Sequence, residues 1–516
     1  MSTTGARSAR ASLARGRGPR LVALLASVSI LSVGLPAALI AAIPDVGRSE
    51  AWGVTIWIIV YGGIRLSVLW TRGIAELFDF FFWLYSYIFM GIAATAQLRS
   101  NQISTTTPGM DPALDMPTAL LVAGGIGCYE LGRMMANLRP QRALGDAPSK
   151  TQVSTRRTVL LGVAGLAFGA YYLSKVRLGG AIGSRTAAEA ARAAAWPDPS
   201  TRSIFFALAC YPLLVAVGGL IQARRAEPGG ANRGVLAVAA VVGAVVLVGV
   251  VNPIVSARYT FGTMAFALAV YLGATRTRFR ARLTMLGTIL AFLFVFPIAD
   301  AFRRDVVRVQ QGGFFDEYLG NADYDSFWQV ANAFSLTVDN LVVPLRQLLG
   351  SLLFWMPRSL WPDKPIDTGS LLAQYRGYSF DNLSAPLWAE LLVNGGVVAV
   401  VIGCLALGVA LVALDRRIRD VGGTSGWWLI PQAVLPVYMT IFMRGSWLQA
   451  TGPAVVALTC MLFVLARRAP GGGGGAQEGG SGTAVEHPEK PEAGREVADF
   501  VGNRTTPTGR SRPVDS

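Results

Sequence analysis

The apolar residues of this chain come in blocks of about 20, separated by short charged segments. An α-helix rises 1.5 Å per residue, so each block is long enough to cross a ~30 Å hydrocarbon core. Only 15% of the residues are charged, against roughly 25% in soluble domains. The blocks predict an all-α polytopic membrane protein with about twelve membrane-spanning helices, near 21–43, 51–70, 77–98, 117–137, 158–175, 203–222, 234–250, 260–274, 283–299, 388–414, 427–443 and 447–466.

The positive charge of the chain predicts its orientation. Alternate connecting segments, counted from the N-terminus, hold 21 Lys and Arg residues, whereas the intervening short loops hold 8. Since Lys and Arg accumulate on the cytoplasmic side, both termini are predicted to be cytoplasmic, in the cell membrane. The net charge of +15 then faces anionic lipid headgroups rather than nucleic acid.

Five regions follow from this topology. They are a basic cytoplasmic N-terminus (1–20), nine membrane helices (21–299), a large external loop (300–387), three membrane helices (388–466) and a disordered cytoplasmic tail (467–516). The first apolar run is longer than the core of a cleaved signal and predicts a retained anchor, with cleavage near Ala42 as the alternative.

The external loop is rich in aromatic and apolar residues. Residues 338–357 are apolar but interrupted by Pro344, Arg346 and Gly350, which favours an interfacial or re-entrant helix over a crossing one. We expect the aromatic side chains to lie at headgroup level on the outer leaflet. They are Phe314, Phe315, Tyr318, Tyr324, Phe327, Trp328, Phe354, Trp355, Trp361, Tyr375, Tyr378 and Phe380.

Arginines at the external ends of the helices are candidate anion-binding residues. Arg258 lies in the turn before the eighth helix, and Arg303 and Arg304 follow the ninth. Arginine makes bidentate, permanently charged contacts with phosphates, so these residues suit a lipid-linked phosphate. Arg258 also suits a headgroup anchor, and Arg303 and Arg304 also suit a solvated helix end.

The segment FWMPRSLWPDKP, residues 354–365, is the most distinctive stretch, and we call it the platform. Its prolines fix φ and remove donors, which predicts a stiff non-helical segment. Arg358 and Lys364 could bind anions, and Trp361 could contact a sugar face or a headgroup. An interfacial anchor remains the alternative.

Glu390, near the external start of the tenth helix, is a candidate general base. A carboxylate there could be desolvated, which favours proton uptake, although pairing with a nearby arginine is the alternative. Other candidate bases are Asp316, Glu317, Asp363 and Asp367. Glu130 and Arg133 have the i,i+3 spacing of a helical ion pair.

Certain motifs of other function classes do not occur in the sequence. It has no P-loop motif and no Cys/His cluster, and its one histidine is His487 in the tail. We therefore predict chemistry without a metal or other cofactor.

Three stretches resemble the oligosaccharide repeat-unit polymerases, the Wzy-type O-antigen polymerase family. They are SARYTFGTMAFALAVYL (256–272), PRSLWPDKP (357–365) and NLSAPLWAELLVNGGVVAVVIGCLALG (382–408). The resemblance covers roughly residues 235–415, while the N-terminal half matches only as a run of helices.

The resemblance implies a GT-C-like membrane glycosyltransferase. Such an enzyme moves a growing glycan from one undecaprenyl-pyrophosphate carrier onto the sugar of an incoming lipid-linked repeat unit. Arg258 would then bind pyrophosphate, Arg358 and Lys364 would form the basic platform, and Glu390 would occupy the family's acidic position. The implied partners are lipid-linked glycans, membrane lipids, a chain-length regulator and a flippase.

Two alternatives remain. An O-antigen ligase has a similar architecture but normally places a histidine in the large outer loop, and this loop has none. A transporter of lipid-linked sugars also suits twelve helices, but it would be expected to show two similar halves and charges near the bilayer midplane.

Overall fold

Helices account for nearly all secondary structure in the part of the chain that the structure describes. The structure, a computed structural model, describes residues 17–104, 106–138, 151–182, 184–197, 199–227, 230, 232–298, 314–421 and 426–466. The predictions for Arg303, Arg304, most of residues 1–20 and the tail 467–516 lie outside these residues.

The helices of the first part of the chain are α1 Gly18–Ala42, α2 Ala51–Arg72, α3 Leu77–Ser100, α4 Asp115–Leu138, α5 Thr155–Ile182, α6 Arg185–Ala195, α7 Pro199–Ala226, α8 Arg233–Val250, α9 Arg258–Leu272 and α10 Arg278–Leu290. A short π-helical stretch, Ala291–Val295, continues α10 into Phe296–Ile298.

The later helices are α11 Glu317–Gly320, α12 Ser326–Val338, α13 Arg346–Leu352, α14 Thr368–Arg376, α15 Leu387–Asp420, α16 Leu429–Arg444 and α17 Trp447–Phe463. Two short strands, β1 Gln152–Val153 and β2 Leu465–Ala466, pair antiparallel with Gln152 opposite Ala466.

Seven helices among the described residues are long and apolar enough to cross a membrane. They are α1, α2, α3, α8, α15, residues Thr155–Arg177 of α5 and residues Thr201–Ala226 of α7. The apolar helices α16 and α17 are shorter. The chain is therefore an all-α membrane protein, as predicted, whereas twelve crossings and a GT-C-like arrangement stay predictions.

α3 is the central helix, because its apolar residues point in every direction and protein surrounds it. Its segment Leu77–Tyr85, LFDFFFWLY, is buried throughout. The Phe82 ring stacks on Tyr129 of α4, with ring centroids 3.4 Å apart. Such a helix has no face for lipid, so the other helices must assemble around it.

α4 and α15 approach each other through glycines. A Cβ atom on Gly132 would lie 2.1 Å from the Leu405 carbonyl oxygen, and one on Gly408 would lie 2.1 Å from that of Tyr129. Close packing through small residues is how membrane helices gain van der Waals contact without a hydrophobic driving force.

α15 is interrupted at Gly395 and Gly396, where the backbone leaves the helical region. Gly396 has φ 62° and ψ −156°, a conformation open essentially to glycine alone. The residues before the break, 387–394, are all buried, whereas many after it are exposed. The break thus separates a short half-helix inside the protein from a longer membrane-spanning one.

A buried ion network ties the first turn of α3 to its neighbours. Arg65 of α2 lies 2.9 Å from Asp79 of α3, and the Tyr129 hydroxyl donates to Asp79 at 2.8 Å. The predicted Glu130–Arg133 pair is confirmed, with Arg133 Nε donating to Glu130 at 2.7 Å. The network satisfies charges that would be costly inside a membrane.

Asp415 of α15 caps the first turn of α3. Its carboxylate accepts hydrogen bonds from the backbone amides of Phe78 at 3.2 Å and Asp79 at 3.0 Å. These amides have no partner within their own helix, so a carboxylate from a distant helix supplies one.

The prediction that the loop aromatics lie at headgroup level is wrong for its central part. Tyr318, Tyr324, Phe327 and Trp328 are all 0% exposed, because α12 packs inside the protein and Trp328 donates to Gln97 of α3 at 2.7 Å. By contrast, exposed apolar rings occur at Trp355 and Phe380. The region is a folded part of the protein with a partly exposed apolar edge.

Candidate functional site

Two arginines from distant helices converge on Asp323. Arg258, the first residue of α9, donates to the Asp323 carboxylate and to the carbonyl of Phe296, and its guanidinium lies 4.5 Å from the Phe296 ring centre. Arg444, the last residue of α16, donates from Nη2 to the same carboxylate at 2.9 Å. Its Nε donates to the Asp323 carbonyl at 3.1 Å.

Local sequence explains how these residues are presented. Asp323 lies in a single turn of 3₁₀-helix whose start is capped by the Asn321 side chain, which accepts the Asp323 amide at 3.0 Å. Arg444 ends α16, where the negative end of the helix dipole favours a cation. Gly445 and Ser446 then turn the chain directly into α17.

Asp325 completes the group that we call the Asp323 cluster: Arg258, Asp323, Asp325 and Arg444. One carboxylate oxygen of Asp325 lies 3.8 Å from Arg444 Nη2, and the other accepts the Ser384 amide at 3.1 Å. Burial raises the pKa of Asp325, although the positive charge of Arg444 opposes that shift. Two arginines and two aspartates can balance one another's charge here.

Two tyrosines border the Asp323 cluster. The Arg444 guanidinium lies 5.3 Å from the Tyr259 ring centre. The hydroxyl groups of Tyr259 and Tyr324 are buried and have no hydrogen-bond partner in the structure. Since buried polar groups are nearly always paired, these hydroxyls mark the cluster as a place that can accept a polar ligand or water.

Glu390 lies beside the Arg444 turn. Glu390 is 0% exposed, so the predicted desolvation of its carboxylate is confirmed. Its role as a base stays a prediction. One carboxylate oxygen accepts the Trp447 amide at 2.9 Å, and the other has no hydrogen-bond partner among the described residues. The Arg444 carbonyl also accepts the Ala385 amide at 2.9 Å, so two hydrogen bonds join the start of α15 to the α16–α17 turn.

The platform has a different setting from the Asp323 cluster. Arg358 is exposed, and its Nη1 donates to the Lys364 carbonyl at 2.8 Å. The Lys364 ammonium donates to the carbonyls of Phe354 and Met356 at 2.6 and 2.9 Å. Both side chains therefore brace the platform itself, and Trp361 is half-buried. The platform packs on α17, where a Cβ on Gly452 would lie 3.5 Å from the Phe354 ring.

Asn394 connects the two regions and was missed by sequence reasoning. Its carbonyl accepts the Leu345 amide at 2.9 Å, and its side-chain oxygen accepts the Leu348 amide at 2.8 Å. Its side-chain nitrogen donates to the Glu390 carbonyl at 2.8 Å. Asn394 thereby caps α13, which leads into the platform, from the same half-helix that carries Glu390.

Sequence reasoning also missed Arg444, Asp323 and Asp325. For Arg444 a signal existed, since a charge in a three-residue turn between two apolar helices needs a partner. The two aspartates form a D-x-D pattern, Asp323-Tyr324-Asp325, which sequence reasoning overlooked in a loop with many acidic residues.

Comparisons with known proteins add no family assignment. No protein-family model, curated protein or solved structure matches the chain. The resemblance to repeat-unit polymerases therefore stays a hypothesis. Among the described residues, no group of three or more His, Cys, Asp or Glu side chains could hold a metal ion.

Proposed function

We propose that this protein is a membrane glycosyltransferase that polymerises undecaprenyl-pyrophosphate-linked oligosaccharide repeat units into a surface polysaccharide on the outer face of the cytoplasmic membrane. The observation that carries the proposal is the convergence of Arg258 and Arg444 on one carboxylate beside the buried Glu390. The resemblance of residues 256–272, 357–365 and 382–408 to the polymerase family supports it.

The arginine pair suits a diphosphate leaving group. On this proposal the pyrophosphate of the donor replaces the Asp323 carboxylate as the anionic partner of Arg258 and Arg444. Fixed cations in a partly dry site stabilise the charge that builds on the departing phosphate. Asp323 keeps the two guanidinium groups oriented while the donor is absent.

Glu390 suits the acceptor side of the reaction. The acceptor hydroxyl oxygen forms a bond to C1 of the donor sugar, the C1–oxygen bond to pyrophosphate breaks, and the hydroxyl proton moves to the Glu390 carboxylate. The unpartnered carboxylate oxygen is the one available for that proton. A positioned base contributes about 10²–10⁴ in rate. Arg358, Lys364 and Trp361 would hold glycan or phosphate at the platform.

The direct test uses purified protein in nanodiscs with a synthetic lipid-linked repeat unit. Wild type is expected to produce a ladder of lengthened products, and Arg258→Ala and Arg444→Ala to lower the rate about 10²-fold or more. Arg185→Ala is the control, since Arg185 forms an exposed pair with Glu189. Arg258→Lys and Arg444→Lys keep the charge and separate loss of folding from loss of bidentate binding.

Full elongation by both alanine variants would overturn the assignment of the site.

The membrane topology is tested separately, because the proposal places the Asp323 cluster on the outer face of the membrane and both termini in the cytoplasm. Cysteines introduced at exposed positions 360 and 380 should react with an impermeant maleimide in intact cells. Labelling only after lysis would contradict the outer location. A chain-length regulator and a flippase are the partners expected for such an enzyme.

A lipid-linked sugar transporter is the second candidate, because α15 is an interrupted helix. Transporters bind substrates at broken helices near the bilayer midplane. Here, however, the break comes only eight residues into a 34-residue helix, about 12 Å from its start and 36 Å from its end. It therefore lies well away from the middle of the helix. A liposome assay that detects glycolipid translocation without elongation would select the transporter. A ligase would instead transfer finished glycan to an acceptor other than a lipid-linked repeat unit.

A further inference from the structure

A cavity of about 280 Å³ lies between the platform and the half-helix of α15. Its walls come from the end of α12, residues 341–343, the start of α13, the end of the platform, α14 and Val393 of α15. Most of the wall is aliphatic, with Leu336, Val342, Leu371 and Val393 among its side chains. The Asp323 cluster does not line it.

Two polar side chains of the cavity, Arg346 and Gln347, are able to bind a ligand. Gln347 is 6% exposed, and its side-chain oxygen is buried with no hydrogen-bond partner in the described part of the chain. Arg346 donates from Nη2 to the backbone carbonyl of Asp363 at 2.9 Å. Arg346 is exposed and forms no ion pair among the described residues, although Asp363 and Lys364 also line the cavity. An anion and a hydrogen-bond donor would complete the two groups.

The mouth of the cavity opens on an apolar edge. Leu341 and Val343, which line the cavity, are 62% and 54% exposed, and Leu349 and Leu352 of α13 are 50% and 61% exposed. Leu345, between them, has φ 60°, an unfavourable conformation for a bulky residue. An exposed apolar patch of this kind marks contact with a membrane.

The lining distinguishes a hydrocarbon from a sugar. Among the described residues, no aromatic side chain lines this cavity, whereas a sugar ring would be expected to lie against an aromatic face. Branched aliphatic walls suit an alkyl chain, which gains about 0.8 kcal/mol for each buried CH₂. A cation at the rim and aliphatic walls inside are the pattern for a lipid that carries phosphate.

We propose that this cavity binds the hydrocarbon chain of a phosphate-bearing bilayer lipid, with the phosphate against Arg346 and a water at the level of the lipid ester groups donating to the Gln347 side-chain oxygen. The site goes beyond the proposed glycosyl transfer, because it requires neither a glycan nor the Asp323 cluster. It gives the platform a fixed depth in the outer leaflet.

The test uses full-length protein in nanodiscs that contain phosphatidylglycerol with a photoreactive diazirine on its acyl chain. Cross-linked peptides are identified by mass spectrometry. We expect adducts on the peptides that contain Leu371 and Val393. Arg346→Ala should reduce them roughly five- to tenfold. Arg376→Ala is the matched control, since Arg376 also donates to a backbone carbonyl, that of Gly109, at 2.9 Å.

A second pair of variants tests the cavity rather than the charge. Val343→Trp places a large ring at the mouth and should reduce the adducts. Val338→Trp is its control, because Val338 is 59% exposed and does not line the cavity. The proposal is overturned if Arg346→Ala and Arg376→Ala give equal yields of cross-linked adducts. Equal yields from Val343→Trp and Val338→Trp would overturn it as well. Equal labelling by a diazirine diacylglycerol, which lacks phosphate, would overturn the role of Arg346.

Discussion

Arg444 Nη2 lies 2.9 Å from the carboxylate of Asp323, although the two residues are separated by 121 positions in the chain. The contact fastens the end of α16 to the turn that precedes α12. Because Arg258 binds the same carboxylate, three distant parts of the chain depend on one side chain. Asp323 is therefore both a structural link and the competitor that a diphosphate must displace.

Asp323→Ala is expected to destabilise the protein by about 2–4 kcal/mol, because it leaves two largely buried arginines with less anionic compensation. The loss is smaller than for a fully buried pair, since the Asp323 side chain is 27% exposed. Thermal unfolding in detergent measures the effect. Asp420→Asn, at a side chain that is 48% exposed, should change stability by less than about 0.5 kcal/mol. Equal stability of the two variants would contradict the link.

Arg258 and Arg444 should not act independently. In a double-mutant cycle of Arg258→Ala and Arg444→Ala, we expect a coupling free energy of roughly 0.5–3 kcal/mol, because the two side chains share one partner. Unfolding of the two single variants and the double variant provides the measurement. Strict additivity would show that Asp323 does not couple them.

The titration of Asp325 predicts a pH dependence. Burial raises its pKa from the usual 3.8, so the folded protein binds a proton there more tightly than the unfolded chain. This contribution to stability is complete below about pH 4 and is lost as the pH rises through the raised pKa. The stability of wild type relative to Asp325→Asn should therefore fall as the pH increases from about 4 to 7. A constant or growing difference over that range would contradict the burial of this carboxyl.

Gly396→Ala tests the break in α15. An alanine is strained at φ 62° and ψ −156°, so we expect a loss of about 1–3 kcal/mol in unfolding free energy. Gly287→Ala is the control within α10, where a Cβ would meet nothing within 4 Å and helix propensity favours alanine by up to about 1 kcal/mol. If both variants were equally stable, the break would not be a fixed feature of the fold.

Asn394→Ala tests the connection between Glu390 and the platform. The change removes the acceptor of the Leu348 amide and the donor to the Glu390 carbonyl, which should cost about 1–2 kcal/mol. Hydrogen exchange should accelerate in residues 346–360. Ser379→Ala, at an exposed position of the same region, should leave the exchange of those residues unchanged, and no difference between the variants would refute the connection.

The sequence predicts the membrane class and part of the candidate site, because both depend on local patterns. Apolar blocks locate the helices, and the cost of charge in a membrane draws attention to Arg258 and Glu390. The i,i+3 spacing was enough to predict the ion pair of Glu130 and Arg133, since one helix contains both residues.

The other site residues depend on tertiary contacts that a local pattern does not contain. Asp323 acquires its role only because α9 begins and α16 ends beside it. Asn394 acts through the amides of Leu345 and Leu348, the second of which lies 46 residues earlier in the chain. The loop aromatics were misplaced for the same reason. Their composition is that of an interface, but α12 carries several of them to α3. The break in α15 follows a Gly-Gly pair, which is also common in uninterrupted membrane helices.

The cap that Asp415 provides for α3 has a consequence for biosynthesis. The Asp79 amide and its acceptor are 336 residues apart, so at about 5–20 residues per second the ribosome needs roughly 20–70 s to supply the acceptor. During that interval the first turn of α3 has to be satisfied by water, by the translocon or by a chaperone. The central helix can therefore reach its final hydrogen bonding only after the tenth predicted span has been made, which places this step late in translation.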